Sequence, residues 1–181
     1  MVKVGIVGYT PLNGHPYSFG CILNGFDHET KIYEYPQIES YLKENINHKE
    51  GIKGISCTHV FCKDKERTKN IASTIKAKPI FNISDFPKNL DLIFILCDYS
   101  KERKSYIKEL TKNYKLFVDK PLIKNELDYK IYSSLIDEKK IMSSSMLIHD
   151  SQFKLLKNKK GLLKIEVIYS GIWEEYASHA I

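Results

Sequence analysis

Val2-Lys3-Val4-Gly5-Ile6-Val7-Gly8 opens the chain: a short apolar run that ends on a glycine. Such a run reads as a parallel strand buried on both faces. Thr10-Pro11-Leu12-Asn13-Gly14 punctuates a turn behind it, and His15-Pro16 starts a helix with proline in its first turn. Working outward, the alternation continues. Strands are predicted over 2–7, 54–61, 79–81, 90–97, 115–118 and 141–145. Helices are predicted over 15–26, 37–45, 64–75, 101–113 and 125–138. The run Leu90-Asp91-Leu92-Ile93-Phe94-Ile95-Leu96-Cys97 is the most apolar and belongs at the centre of the sheet. Strands alternating with helices of this length make βαβ units, and right-handed crossovers wind them into a doubly wound parallel α/β sheet of Rossmann type over 1–146.

The pattern changes after Met146. A short helix over 151–156 is followed by alternating Leu163, Ile165, Val167 and Tyr169, the signature of a half-exposed antiparallel strand. One strand cannot stand alone. Residues 147–181 are therefore expected to begin an incomplete α+β domain.

Composition sets the outer bounds. The 181 residues are 43% hydrophobic and 28% charged, enough for one globular core. The charge of +6 comes from scattered lysines. Runs such as Lys63-Asp64-Lys65-Glu66-Arg67, Lys101-Glu102-Arg103-Lys104 and Lys157-Asn158-Lys159-Lys160 are expected on solvated faces. No basic-aromatic motif points to nucleic acid. No stretch approaches the length of a membrane span, so a cytoplasmic location is expected. Cys21, Cys57, Cys62 and Cys97 form no CxxC pair and read as buried free thiols. Cys57, His59 and Cys62 do not converge on one strand face, so no metal site is expected.

Four stretches carry candidate chemistry. Gly5, Gly8 and Gly14 stand where a strand–helix turn lets backbone approach a pyrophosphate, although the spacing is longer than G-x-G-x-x-G. At the end of the second strand Cys62 takes the place of the usual ribose-binding acid. Lys63 behind it suits a 2′-phosphate or lies in solvent. Asp119-Lys120-Pro121 ends a late strand at the edge where α/β sheets bind ligands, and Pro121 biases Lys120 toward an extended backbone. A lysine there can exchange a proton with a substrate hydroxyl. In Trp173-Glu174-Glu175-Tyr176-Ala177-Ser178-His179, a helix would put Glu175 and His179 on one face.

In this order the stretches resemble the N-terminal half of the Gfo/Idh/MocA oxidoreductases, the family of glucose–fructose oxidoreductase and inositol dehydrogenase. Phe117-Val118-Asp119-Lys120-Pro121-Leu122 is similar to that family's Glu-Lys-Pro motif. Gly14-His15-Pro16-Tyr17-Ser18 is similar to a variant opening turn, and Glu175 to His179 resembles its Asp-x-x-x-His pair. The resemblance implies NAD or NADP as cofactor and a sugar or cyclitol as substrate. It implies Lys120 as the catalytic lysine, His179 as the acid/base and Glu175 as its orienting partner. Gly8, Tyr9, Thr10, Asn13, Gly14, Cys62, Lys63, Cys97, Asp98, Asp119 and Lys120 would line the cofactor. The family's second domain usually forms the oligomer interface, so a homo-oligomer is implied as well. A truncated nucleotide-binding remnant without activity, or an interaction module that kept only the fold, is the alternative.

Overall fold

A computed structural model describes residues 1–46 and 50–145. The order is β1 (Val2–Val7), α1 (His15–Asn24), α2 (Pro36–Asn45), β2 (Ile55–Phe61), α3 (Lys65–Thr74), β3 (Lys78–Pro79), a 3-10 turn (Ile83–Asp85), β4 (Leu92–Ile95), α4 (Lys101–Leu110), β5 (Leu116–Val118), α5 (Glu126–Asp137) and β6 (Ile141–Met142). The six strands form one parallel sheet in the order β3-β2-β1-β4-β5-β6. That is the Rossmann order, in which the connection reverses direction between β1 and β4 and opens a crevice at their carboxyl ends.

Alternate residues of the central strands feed two cores. Val4 and Ile6 of β1 join Tyr17 and Cys21 of α1 and Ile71 and Ala72 of α3 on one face. Val7 joins Ile93 and Ile95 of β4 and Tyr106, Ile107 and Leu110 of α4 on the other. Each such fully buried aliphatic side chain stabilises the fold by about 1.5–3 kcal/mol. All four cysteines are buried and unpaired, as the sequence implied. Desolvation pushes the Cys21, Cys57 and Cys97 thiols up to about 12. Among the described residues no helix is long and apolar enough to cross a membrane.

Several expectations are corrected at their edges. The strand expected at 79–81 pairs only through Lys78–Pro79, and Phe81 is exposed. The strand expected at 141–145 ends at Met142. The first helix stops at Asn24, where Gly25 takes φ +87°. The third begins one residue late because Asp64 is its cap, accepting from the Arg67 N–H at 2.9 Å. The elements expected at 151–156 and 162–169, the Lys157–Lys160 run and the domain over 147–181 lie outside the described residues.

The expectation of solvated charge runs fails at two arginines. Arg103 is 1% exposed. It shares a helical face with Tyr106, Ile107 and Leu110, so it points into the core that holds Val7, Ile93 and Ile95. There it donates to the carbonyls of Cys97 (3.2 Å), Asp119 (3.1 Å) and Pro121. Arg67 is held by Glu34 and by the Tyr17 hydroxyl, with its guanidinium 4.5 Å from the Tyr9 ring centre.

Candidate functional site

The parallel sheet brings three connections to one edge: the turn after β1, the loop after β4 and the Asp-Lys-Pro segment after β5. Between them lies a cleft of about 870 Å³, whose lining includes Asn13, Gly14, His15, Asp98, Asp119 and Lys120. Of the residues expected at the cofactor, Asn13, Gly14, Asp98, Asp119 and Lys120 thus face one space, whereas Gly8, Tyr9, Thr10, Cys62, Lys63 and Cys97 are not among its lining.

The opening turn is built by local constraints. Gly8 has φ +94°, a backbone that disfavours any side chain, and a Cβ there would come within 2.5 Å of Cys97 Sγ. Cys97 is thus the packing surface beneath Gly8, and its own side chain is buried. Gly14 begins α1 with no room for a Cβ, which would meet Ile38 at 2.2 Å. The turn is fastened to the loop after β4: Asn13 donates to Asp98 Oδ1 at 2.6 Å, and the Asp98 N–H donates to Thr10 Oγ1 at 3.0 Å. The first turn of α1 uses its own donors. The His15 N–H goes to Asn13 Oδ1, Pro16 has none, and the Tyr17 N–H goes to the Gly14 carbonyl.

Asp119 sits at the junction. It is 6% exposed, its N–H continues the ladder to the Ile95 carbonyl, and its Oδ1 accepts the Lys120 N–H at 2.9 Å. Its Oδ2 lies 2.5 Å from His15 Nδ1. This imidazole–carboxylate pair joins the start of α1 to the end of β5 across β4. His15 was not among the residues expected to act. Its signal was its place in Gly14-His15-Pro16, since the first residue of a helix that follows β1 must sit at the sheet's carboxyl edge. The Lys120–Pro121 peptide is cis.

A second set of groups lies beside the end of β2. Cys62 does not present its side chain to a ligand. It is 3% exposed, with Sγ 3.1 Å from Thr68 Oγ1 and the backbone N–H bonded to the same hydroxyl. Lys63 is exposed. Glu34, which precedes α2, stands nearby and pairs with Arg67 beside Tyr9. Glu34 was not among the expected site residues: it stands in the irregular stretch between Asn24, where α1 ends, and Pro36, where α2 begins.

Cys57 and His59 make local contacts: His59 Nδ1 is 2.8 Å from Thr58 Oγ1, and burial lowers the His59 pKa. Glu175 and His179 lie outside the described residues.

No protein-family profile matches the chain, and no curated protein matches it either. Solved structures do. A biliverdin reductase from Synechocystis sp. PCC 6803, in complex with biliverdin and NADP+, is 13% identical with a TM-score of 0.55; the match covers 88% of this chain and 43% of that one. An oxidoreductase from Agrobacterium radiobacter, in complex with NAD+, L-tartaric acid and magnesium, is 11% identical with a TM-score of 0.58, over 86% and 39%. A UDP-N-acetylglucosamine 3-dehydrogenase from Acidithiobacillus ferrooxidans is 10% identical with a TM-score of 0.58, over 87% and 43%. The chain spans well under half the length of each. Across that span it has the Rossmann-type α/β fold that these oxidoreductases share.

Proposed function

We propose that the chain is the nucleotide-binding half of an NAD(P)-dependent oxidoreductase of Gfo/Idh/MocA type. Its reaction moves hydride to or from a hydroxyl-bearing carbon of a sugar or cyclitol. The observation that carries the reading is the meeting of Asp119, Lys120 and His15 with the opening turn in one cleft at the carboxyl edge of β1, β4 and β5. Similar folds that hold NADP+ or NAD+ and that act on a sugar nucleotide support it. Four buried, unpaired thiols suit the reducing cytoplasm.

In this reading the cleft takes one part of a dinucleotide: Asp98, Asp119 and Lys120 of its lining would hold the nicotinamide side and Asn13 and Gly14 would lie toward the pyrophosphate. Tyr9 and Thr10, outside that lining, would lead toward β2 and the adenosine. Bound there, the nicotinamide supplies hydride transfer. Lys120 Nζ steadies or exchanges the proton on the substrate hydroxyl. Asp119 fixes the Lys120 backbone through the 2.9 Å bond. His179 would take the hydroxyl proton and Glu175 would orient it.

A second reading is an interaction module that kept the fold without the ligand. It is favoured by one observation: the first turn of α1 spends its N–H donors on Asn13 and Gly14. A titration separates the two. Binding of NADH or NADPH at micromolar to submillimolar concentration supports the enzyme reading, and none at millimolar concentration supports the module. With a sugar or cyclitol substrate, Lys120→Ala should lower kcat by about 10²–10⁴-fold. Undiminished turnover would show that Lys120 is not the proton-handling group.

A further inference from the structure

At the end of β2, where Rossmann domains usually keep the acid for the adenosine ribose, this chain has Cys62. Cys62 is buried against Thr68. Lys63 is a cation, and Asp64 Oδ1 caps α3. Yet a carboxylate does stand beside it. Glu34 pairs with Arg67, and its Oε2 accepts from the Tyr9 hydroxyl at 3.3 Å. Its side chain is 44% exposed. It opens on a groove of about 530 Å³ lined by Glu34, Asp64, Glu66, Arg67, Lys69 and Asn70.

We infer that Glu34 is the ribose-binding carboxylate of this chain and that it selects NAD over NADP. The inference rests on the reading that the cleft takes a nicotinamide dinucleotide. Three features argue for it. First, Glu34 reaches the correct edge: Tyr9 directly follows the β1 turn and Arg67 lies in the first turn of α3, so both flank the carboxyl ends of β1 and β2. Second, the carboxylate is held in place. Arg67 packs on the Tyr9 ring and donates to the Tyr17 hydroxyl, which in turn donates to Asn70 Oδ1 at 2.6 Å. A fixed carboxylate can accept hydrogen bonds from vicinal ribose hydroxyls. Third, the charge is wrong for a 2′-phosphate. The groove sets three carboxylates, Glu34, Asp64 and Glu66, against two cations, Arg67 and Lys69, which already pair with Glu34 and Glu66. A phosphate of nearly two negative charges would have to displace Glu34 from Arg67 and remain beside it. Like-charge juxtaposition of this kind is how a site rejects a near-identical ligand.

The test is paired titration of the full chain with NADH and NADPH, followed by nicotinamide fluorescence, for wild type, Glu34→Gln and Glu34→Asp. Circular dichroism checks that each variant is folded. Wild type should bind NADH at least about tenfold tighter than NADPH. Glu34→Gln should reduce that ratio by about tenfold, as expected for loss of a charge-assisted hydrogen bond, and Glu34→Asp should retain part of it. A wild type that prefers NADPH, or a ratio unchanged in Glu34→Gln, overturns the role of Glu34 and leaves nucleotide binding standing. If wild type binds neither dinucleotide, the nucleotide-binding reading itself falls and takes this inference with it.

Discussion

Arg103 fastens the carboxyl edge of the sheet through the backbone of two strand exits. Its guanidinium fans out to three backbone carbonyls, those of Cys97, Asp119 and Pro121, and so ties the exits of β4 and β5 to one side chain. Burial lowers the Arg103 pKa, while the charges around it, Asp119 among them, oppose the shift. Removing the side chain would strand buried acceptors, each worth about 1–3 kcal/mol when left unsatisfied. Arg103→Met should therefore lower stability by about 2–4 kcal/mol in urea denaturation. Arg103→Lys should recover only part, because one ammonium cannot reproduce the planar fork. A change below about 0.5 kcal/mol for Arg103→Met would contradict this role. The sequence contained the clue. Arg103, Tyr106, Ile107 and Leu110 recur at i, i+3, i+4 and i+7, an inward-facing stripe. The surrounding Lys-Glu-Arg-Lys run masked it, because a run of charges looks solvated whatever its phase. Glu34 was hidden for a different reason: no local pattern says where the irregular stretch between α1 and α2 will set residue 34 against the sheet.

At the scale of elements, the start of α5 shows how capping and burial combine. Asn125 caps the helix by accepting from the Asp128 N–H at 3.0 Å. Asp128 in turn accepts from the Tyr99 hydroxyl (2.6 Å), the Lys104 ammonium (2.7 Å) and the Lys124 N–H (3.0 Å), at 0% exposure. Burial by itself would raise its pKa, but these three donors outweigh it and hold the carboxyl below the usual range. The sign follows. A carboxyl whose folded pKa is depressed stabilises the fold fully above its unfolded value of about 3.9, and that contribution is lost as pH falls through the folded value. Asp128→Asn should thus cost about 1–3 kcal/mol near pH 7. The gap between variant and wild type should close on acidification below about pH 4, read by urea midpoints across pH. A gap independent of pH would show that the charge of Asp128 is not what matters. Elements of this kind were largely legible from apolar runs, but their caps were not: Asp64 and Asn125, expected as the first helical residues, cap α3 and α5 instead. The short edge strands were overestimated, since an apolar residue such as Phe81 carries no sign of whether a neighbour strand continues beside it.

For the whole molecule, a doubly wound parallel sheet could be anticipated from strand–helix alternation, because right-handed crossovers leave few ways to wind one, but not which of the doubly wound strand orders it takes. The glycine turn was legible as a turn but not in its particulars. Gly8 makes room for Cys97 and Gly14 for Ile38, demands set by neighbours distant in sequence. The meeting of Asn13 with Asp98 and of His15 with Asp119 likewise depends on which strands become adjacent.

Ligand-binding loops commonly belong to the least protected part of a fold, opening without the rest. The Arg103 fastening predicts the reverse for this edge. To release the segment at Asp119, the buried Arg103 side chain of α4 must withdraw, so the loop after β5 should share the fate of the core. In native-state hydrogen exchange, the Asp119 amide, which continues the β-ladder to the Ile95 carbonyl, should exchange with the same free energy and urea dependence as the β4 amides. Exchange of Asp119 well ahead of β4 would mean that this loop opens alone. Leu12, at 96% exposure on the tip of the opening turn, should exchange early. One wall of the cleft would then be as durable as the fold itself, while the wall facing it breathes and decides how quickly anything enters.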